Sequence, residues 1–440
     1  MGFLVTLLYV SLALLSPGDL LPDLAPYRIM LWLAALAAFV SLVPALHRPA
    51  PVVNWQNLAL LGFVGAIAFS RIAQAWYGGA LLAVQDFLSS AICFVLISLH
   101  VDTLRKLRLL ALCLVAVALL QAALGVEAYY REEFPHPRVL NQRLTADASQ
   151  AGAAQEERYE LPRVRSLGFL ADPNDFAQYL LATLPLLGVF WKPGAIYFVR
   201  PLFIALVSAF FLLTIYLTAS RGAVVGLAVL ILVPVLRRRG RLFALLLTAA
   251  GFLLMVALEF GGGRGFSISS GIDRLNIWSE GLGVFKSSPL WGVGYGAFTN
   301  YVPNTAHNSF LLCATELGIL GLVFWSALLV FAGLQLHAVA QAARTEPAMA
   351  EHARLAGLLE LCFYAVLATS WFLSRTYALT LYLVLGMAAA LYWRAREDWP
   401  TPAAFPHPLN IPLTRWLGLA LALSAGAIFL TFAAVRSRGL

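Results

Sequence analysis

The sequence predicts an all-helical integral membrane protein, and three observations support this fold class. Hydrophobic residues make up 61% of the 440 residues and charged residues only 12%, whereas roughly 45–50% apolar residues is normal for a soluble domain. The mean hydropathy is +0.80. Apolar runs of about 18 residues or more recur along nearly the whole chain, and as helices they can each cross a hydrocarbon layer roughly 30 Å thick. We therefore expect one polytopic domain over residues 1–440, with the lipid bilayer as its solvent.

The apolar runs predict 12 or 13 membrane-spanning helices, separated by short polar segments. The first run contains Pro17 and Gly18 and is followed by more chain that also inserts, so we predict a span and not a cleaved signal peptide. The predicted spans are residues 2–21, 27–46, 55–77, 80–101, 109–126, 169–191, 202–218, 223–236, 242–260, 308–337, 355–374, 377–393 and 416–434.

The basic residues of the loops predict the orientation of these helices. If the N-terminus is cytoplasmic, four basic clusters all lie on the cytoplasmic side, as the positive-inside rule requires. The clusters are Arg105/Lys106/Arg108, Lys192/Arg200, Arg237/Arg238/Arg239/Arg241 and Arg394/Arg396. The formal net charge of +8 is then a signature of membrane topology, and no nucleic-acid partner is expected.

Two long loops fall on the opposite, outer side in this orientation. They cover residues 127–168 and 261–307, and loops longer than about 12–15 residues are usually functional or disordered. The second loop opens with the turn Gly261–Gly263 and is rich in glycine, which suits a segment that bends closely around a ligand. A flexible connector is the alternative interpretation.

Several arginines depart from the inside rule and lie at the outer boundary: Arg165, Arg221, Arg274 and Arg375. Any one of them alone could simply extend its side chain to the lipid headgroups. Several together are harder to explain in this way, because the guanidinium is permanently charged and offers five donors in a planar fork. Two or three near the interface predict a site for a diphosphate whose lipid tail stays in the bilayer.

His307 lies where the second long loop meets a long apolar helix. Because histidine titrates near neutral pH, it could accept a proton from a sugar hydroxyl as that oxygen attacks. The alternative is an ordinary residue at a helix start, with Asn308 or Ser309 serving as the cap. The spacing of the residues leaves both interpretations open.

The acidic residues and cysteines predict neither a metal site nor a cofactor. Asp172 precedes Pro173 at the start of the sixth span, and Asp175 follows three residues after Asp172, which is typical of a capped helix N-terminus. Two acids without a histidine or a third acid nearby are a weak ligand set. Glu316 and Glu360 lie within apolar helices and are functional candidates with unknown partners. The four cysteines occur singly, without the spacing of a disulfide framework.

These residues resemble the signatures of the O-antigen ligase and polymerase superfamily over roughly residues 160–330. The resemblance rests on the order and spacing of six stretches. They are Arg165–Phe169 running into Asp172–Asn174, then Ser220–Gly222, Arg274–Trp278, Ser288–Gly294, Ala306–Asn308 and Glu316–Gly321.

The resemblance implies a GT-C-like bacterial inner-membrane glycosyltransferase whose active site faces the periplasm. Such enzymes transfer glycan from an undecaprenyl-diphosphate-linked donor to another sugar, without a metal or a nucleotide sugar. By resemblance, His307 would activate the acceptor hydroxyl, and Asn308 would contact substrate. Arg165, Arg221 and Arg274 would hold the donor diphosphate and stabilise it as the leaving group, with inversion at the anomeric carbon.

The resemblance leaves the acceptor open. A polymerase extends another lipid-linked repeat unit, whereas a ligase adds the chain to the lipid A core. The second loop has only about 45 residues and a single histidine, which we interpret as slightly favouring a polymerase of O-antigen or exopolysaccharide type. A protein O-oligosaccharyltransferase is a third interpretation within the superfamily. A transporter is a fourth, although no inverted repeat supports it.

Overall fold

The computed structural model describes residues 1–48, 51, 54–131, 163–191, 199–240, 243, 268–400, 405 and 413–437. Every regular element in these residues is an α-helix or a 3-10 helix, and none is a strand. The predicted all-helical fold is therefore confirmed. Several predicted features lie outside the described residues: most of the span at 242–260, the Gly261–Gly263 turn, Lys192, Arg241 and most of the first long loop.

Thirteen α-helices of more than a single turn run through the described residues. They are α1 Gly2–Leu15, α2 Ile29–His47, α3 Trp55–Ile72, α4 Tyr77–His100, α5 Leu104–Tyr130, α6 Pro173–Thr183, α7 Val199–Leu217, α8 Arg221–Arg239, α9 Ile268–Ser287, α10 Ser309–Thr345, α11 Ala350–Ser370, α12 Leu379–Asp398 and α13 Leu413–Arg436. A turn at Pro17–Leu20 and short 3-10 helices connect some of them.

Eight segments among the described residues are long and apolar enough to cross a membrane. They are Ile29–His47, Trp55–Ile72, Tyr77–His100, Leu104–Tyr130, Val199–Leu217, Ser309–Ala342, Pro347–Ser370 and Thr414–Arg436. The chain is a multi-pass membrane protein. The total of 12 or 13 spans stays a prediction, since one of the predicted spans is outside the described residues.

Two predicted spans contain less α-helix than their hydropathy suggests. Helix α1 ends at Leu15, where Ser16 adopts the left-handed conformation (φ 48°) ahead of Pro17. Proline disfavours the helical conformation of the residue before it, so the chain turns instead of reaching residue 21. In the predicted span 169–191, α6 ends at Thr183 and the chain continues as a 3-10 helix to Phe190.

The described chain forms two compact units. Unit 1 contains the described residues of Phe3–Ala38 and Arg108–Gly265, and unit 2 contains those of Phe39–Leu107 and Phe266–Leu440. In unit 1, α6 packs against α7 and α8. In unit 2, α10 is central and packs against α3, α9, α11, α12 and α13, while α4 packs against α3 and α12.

Helix α10 is broken within its membrane-spanning part. Gly318 has φ 66° and ψ −168°, so the helical hydrogen-bond ladder is interrupted there. The segment Pro289–Gly294 fills the gap: the N–H groups of its last two residues donate to the carbonyls of Thr315 and Glu316, at 2.9 and 3.0 Å. The N–H of Ile319 donates to the carbonyl of the segment's first residue at 2.8 Å. Backbone groups in lipid must form their hydrogen bonds within the protein, and this segment provides the hydrogen-bond partners that the broken helix lacks.

The close approach of the segment and the helix requires glycine on both sides. A Cβ atom on Gly292 would lie 2.3 Å from the carbonyl of Glu316. A Cβ atom on Gly318 would lie 2.2 Å from the carbonyl oxygen of Leu290. Both glycines also have positive φ, a conformation that costs other residues free energy. The two backbones can therefore meet only without side chains at these positions.

Candidate functional site

His307 occupies a strained turn directly before α10 in unit 2. Its backbone is in the left-handed conformation, with φ 46°, and its N–H donates a hydrogen bond of 2.8 Å to Ser374 Oγ. The side chain is half-buried. A non-glycine residue in this conformation persists only where its surroundings hold it, and such residues cluster at functional sites. The surroundings therefore hold the backbone of His307 in place, and the role of its side chain stays a prediction.

Asn308 is the cap of α10. Its Oδ1 accepts hydrogen bonds from the N–H groups of Phe310 and Leu311, at 2.9 and 3.1 Å. The side chain is 0% exposed, and Nδ2 finds no hydrogen-bond partner among the described residues. These bonds confirm that Asn308 caps α10. Its contact with substrate stays a prediction, and Nδ2 is the side-chain atom that could make this contact.

Ser309 ties the turn between α11 and α12 to the start of α10. Its hydroxyl donates to the carbonyl of Leu373 at 2.6 Å and accepts from the N–H of Arg375 at 2.8 Å. Thr376 Oγ1 donates to the Ser309 carbonyl at 2.7 Å. Together with the bond from His307 to Ser374, these contacts place Arg375 close to the histidine turn.

Helix α9 reaches the same turn through Trp278. The indole N–H donates to the carbonyl of Ala306, the residue before His307, at 3.0 Å. Trp278 is part of an apolar cluster that joins α9 to α10 and α13. Arg274 is four residues earlier on α9 and therefore on the same helix face as Trp278. The predicted second loop is thus helical over Ile268–Ser287, and Arg274 lies one turn before Trp278 on this helix.

In unit 1, the segment that contains Arg165 is attached to the turn between α7 and α8. The N–H of Val164 donates to the carbonyl of Leu217 at 3.1 Å. Arg163 is buried, and its Nε donates to the carbonyl of Thr218 at 2.7 Å. Arg163 therefore holds the segment in place, and Arg165, two residues later, lies at the turn.

Arg221 begins α8 at the other side of this turn. Ala219 before it is in the left-handed conformation, with φ 48°, and Ser220 is the N-cap residue. Arg165 and Arg221 are therefore brought to one end of unit 1 by the hydrogen bonds between Val164 and Leu217 and between Arg163 and Thr218. That the two arginines serve one ligand stays a prediction.

Asp172 has the capping role that the sequence suggested. Its Oδ1 accepts the N–H of Asn174 at 2.7 Å, and Pro173 occupies the first turn of α6. The described residues contain no group of three or more His, Cys, Asp or Glu side chains that could hold a metal ion.

Glu316 has partners that the sequence alone could not identify. Its Oε1 accepts the N–H of Phe298 at 3.1 Å, and its Oε2 accepts the hydroxyl of Tyr377 at 2.8 Å. The N–H of Gly296 also donates to this carboxylate, and the charge of Arg71 acts on it. The buried carboxylate therefore joins α10 to the segment before it and to the turn that carries Arg375.

Sequence reasoning missed Arg71, Tyr295 and Tyr377. Arg71 is in the last turn of α3, at the predicted outer boundary, so the rule that selected the other outer arginines applies to it equally. The two tyrosines carry no charge and occur in aromatic-rich sequence, so no sequence pattern singled them out. Their rings lie 4.5 Å apart, packed beside Glu316.

A comparison with known protein families identifies a domain in part of this chain. Residues 206–326 match the sequence model of a family described as O-antigen ligase. The chain carries an O-antigen ligase family domain. Enzymes of this family are glycosyltransferases that use lipid-linked glycans. No curated protein matches the chain closely enough for comparison.

The O-antigen ligase domain contains most of the predicted site, but not all of it. Arg221, Arg274, His307 and Asn308 lie within the matched residues, while Arg165 lies before them. The glycine-dependent break in α10 is also part of the domain. Arg165 and Arg221 belong to unit 1, and the other three predicted residues belong to unit 2.

Proposed function

We propose that this protein polymerises undecaprenyl-diphosphate-linked oligosaccharide repeat units on the periplasmic side of a bacterial inner membrane. The observation that carries the proposal is His307, held in a left-handed turn of the O-antigen ligase domain beside the turn of Arg375. The family resemblance supplies the substrate class, and the loop charges supply the orientation.

In the proposed reaction, His307 is the general base. An imidazole nitrogen accepts the proton of an acceptor sugar hydroxyl while that oxygen attacks the anomeric carbon of the donor. The bond from this carbon to the diphosphate oxygen breaks, and its electron pair leaves with the diphosphate. A positioned base contributes roughly 10²–10⁴-fold to such a rate. One in-line displacement inverts the anomeric configuration.

The arginines have a different task in this proposal. Arg165, Arg221 and Arg274 bind the donor diphosphate and neutralise the charge that develops as it leaves. Guanidinium groups suit this role because they remain charged and can form two parallel hydrogen bonds to phosphate oxygens. The charge on the leaving group is then neutralised by protein side chains, and the proposed reaction requires no metal ion.

A ligase is the second candidate, and the description of the matched family favours it. In that reaction the glycan would pass from the same donor to the lipid A core, with the same base and the same arginines. We favour the polymerase because the second loop is short. A protein O-oligosaccharyltransferase would differ again only in its acceptor.

The product distinguishes these functions. Purified protein in nanodiscs is incubated with lipid-linked repeat units, either alone, with lipid A core oligosaccharide, or with an acceptor protein. A ladder of longer lipid-linked chains in the first reaction supports the polymerase. Glycan found only on the lipid A core supports the ligase, and glycan on protein supports the third acceptor. Absence of any product from folded protein, with the donor intact, contradicts the proposed function.

A further inference from the structure

A cavity of about 380 Å³ lies in unit 1, where three segments of the chain begin or end. Cavities that hold small molecules in proteins measure roughly 300–1,000 Å³, so this space suits a ligand of the size of a phospholipid headgroup. The described residues that line it come from α5, from the end of a 3-10 helix and from α7, and they are Arg108, Val189, Phe190, Val199, Arg200 and Phe203.

The lining residues lie at matching ends of their segments. Arg108 is in the second turn of α5 and Arg200 is in the first turn of α7, and both helices are long and apolar enough to cross a membrane. Phe190 is the last residue of a 3-10 helix near the end of the predicted span 169–191. The cavity therefore lies where these spans leave the hydrocarbon, on the side that the loop charges predict to be cytoplasmic.

The cavity combines two guanidinium groups with apolar walls. The described lining residues other than the arginines are valine or phenylalanine, and none is acidic. Arg108 is half-buried, and Val189 is buried. A charged group that is partly removed from water among apolar side chains is costly, and an anion bound beside it offsets part of this cost. The arginines therefore favour an anionic ligand, and the walls favour one that carries hydrocarbon chains.

The positive-inside rule alone does not account for this arrangement. Within the cluster Arg105/Lys106/Arg108, the member that lines the cavity is Arg108. Lys106 pairs with Asp102 at 2.6 Å, and Arg105 is exposed. Each of the three basic residues serves the rule equally. The rule therefore does not explain why Arg108 shares a cavity with Arg200, which comes from a distant part of the sequence.

We propose that this cavity binds the phosphate of an anionic phospholipid from the cytoplasmic leaflet. Both guanidinium groups would donate hydrogen bonds to the phosphate oxygens, and the acyl chains would lie along the exposed face of α7 that carries Phe203, 44% exposed. Basic pockets between membrane helices on this side of a bilayer suit anionic lipid headgroups. A soluble phosphate would leave the apolar walls uncovered.

This site is separate from the one proposed for the donor diphosphate. Arg221 follows the opposite end of α7, and a helix of 19 residues is about 28 Å long. The two groups of arginines therefore lie near opposite ends of the same membrane-spanning helix. The inference does not depend on the proposed glycan transfer.

Binding of two phospholipids to purified full-length protein in detergent tests the site. One is phosphatidylglycerol, whose headgroup is negatively charged, and the other is phosphatidylethanolamine, whose headgroup is neutral overall. Native mass spectrometry should show that wild-type protein prefers phosphatidylglycerol. In Arg108→Gln and Arg200→Gln this preference should fall roughly tenfold, the effect of losing a hydrogen bond to a charged group. Glycerol phosphate, which has no acyl chains, should not displace the lipid at equal concentration.

Arg105→Gln is the matched control, because it removes the same charge from the same helix without changing a residue that lines the cavity. It should keep the wild-type preference. If Arg108→Gln does not fold, Arg200→Gln decides, since the Arg200 side chain is exposed. An unchanged preference in folded Arg200→Gln, or an equal loss in Arg105→Gln, overturns the site. Displacement by glycerol phosphate overturns the phospholipid as its ligand, and neither result bears on glycan transfer.

Discussion

The backbone N–H of His307 donates to Ser374 Oγ at 2.8 Å, so the turn before α12 fixes the turn before α10. The hydrogen bond fixes the backbone, not the imidazole. Chemical and structural roles of His307 can therefore be separated by changing its side chain alone.

His307→Ala should abolish glycan transfer while binding of the lipid-linked donor stays nearly intact. The proton acceptor is lost, which costs roughly 10²–10⁴-fold in rate, whereas arginines hold the donor. Transfer rates and donor affinities of the same purified protein measure the two effects.

His307→Gln is the better-matched control, because it keeps a polar side chain but provides no usable base. Thermal unfolding should show that both variants fold. If the glutamine variant extends glycan at nearly the wild-type rate, His307 is not the base, and Asp172, Asp175 and Glu316 become the candidates.

Arg165→Lys and Arg221→Lys should each lose transfer activity by roughly 10- to 100-fold, although the charge is kept. Lysine is a point charge that cannot reproduce a two-fold hydrogen bond to phosphate, and a hydrogen bond to a charged group contributes about 1.5–3 kcal/mol. Arg131→Lys is the control, since Arg131 is exposed and pairs with Glu127 one helical turn away. Wild-type rates in folded Arg165 and Arg221 variants would indicate that both arginines only contact lipid headgroups.

Glycan transfer should be insensitive to EDTA in the proposed mechanism. Side chains, not a divalent ion, neutralise the leaving diphosphate there. The measurement is the transfer rate after dialysis against EDTA, with and without added Mg²⁺ or Mn²⁺. A loss of activity that one of these ions restores would contradict this part of the mechanism.

Cysteines introduced at Ala148 and Gly271 should react with a membrane-impermeant thiol reagent in intact spheroplasts, and one at Gly240 should not. The loop charges place the first two outside and the third in the cytoplasm. The described structure places all four native cysteines within helices, three of them buried, so the background should be low. Labelling of the cysteine at Gly240 alone would indicate the opposite orientation in the membrane.

Gly292→Ala should strongly destabilise the protein and remove its activity. The new Cβ atom would lie 2.3 Å from the Glu316 carbonyl, at a backbone φ of +72°. The strained conformation alone costs about 1–3 kcal/mol. Gly283→Ala on α9 is the control, because a Cβ atom there meets nothing within 4 Å. The thermal unfolding midpoint in detergent should be lower for Gly292→Ala than for Gly283→Ala. Equal midpoints would show that the backbone around Gly292 can move to accommodate the new Cβ atom.

Helix positions could be predicted from the sequence because lipid imposes a simple rule on apolar length. The predicted starts at residues 55 and 308 agree with α3 at Trp55 and α10 at Ser309. The caps formed by Asn308 and Asp172 were also predictable, since short polar side chains before an apolar run have a defined local chemistry.

The break in α10 could not be predicted, since Gly318 lies in a continuous apolar run and glycine alone does not end a helix. The partners of Glu316 depend on segments far away in the sequence, namely Phe298 and Tyr377. Helix α9 was missed for a related reason: its polar residues resemble a loop, and Trp278 reveals its role only through packing.

The broken helix has a consequence for chimaeric proteins made to change sugar specificity. If the segment Pro289–Gly294 is replaced by one with a different backbone course and the following part of α10 is kept, the carbonyls of Thr315 and Glu316 lose their donors. An unsatisfied backbone group in apolar surroundings costs several kcal/mol. Crossover points should therefore lie before Ile268 and after Thr345, so that the segment and the helix it completes are inherited together.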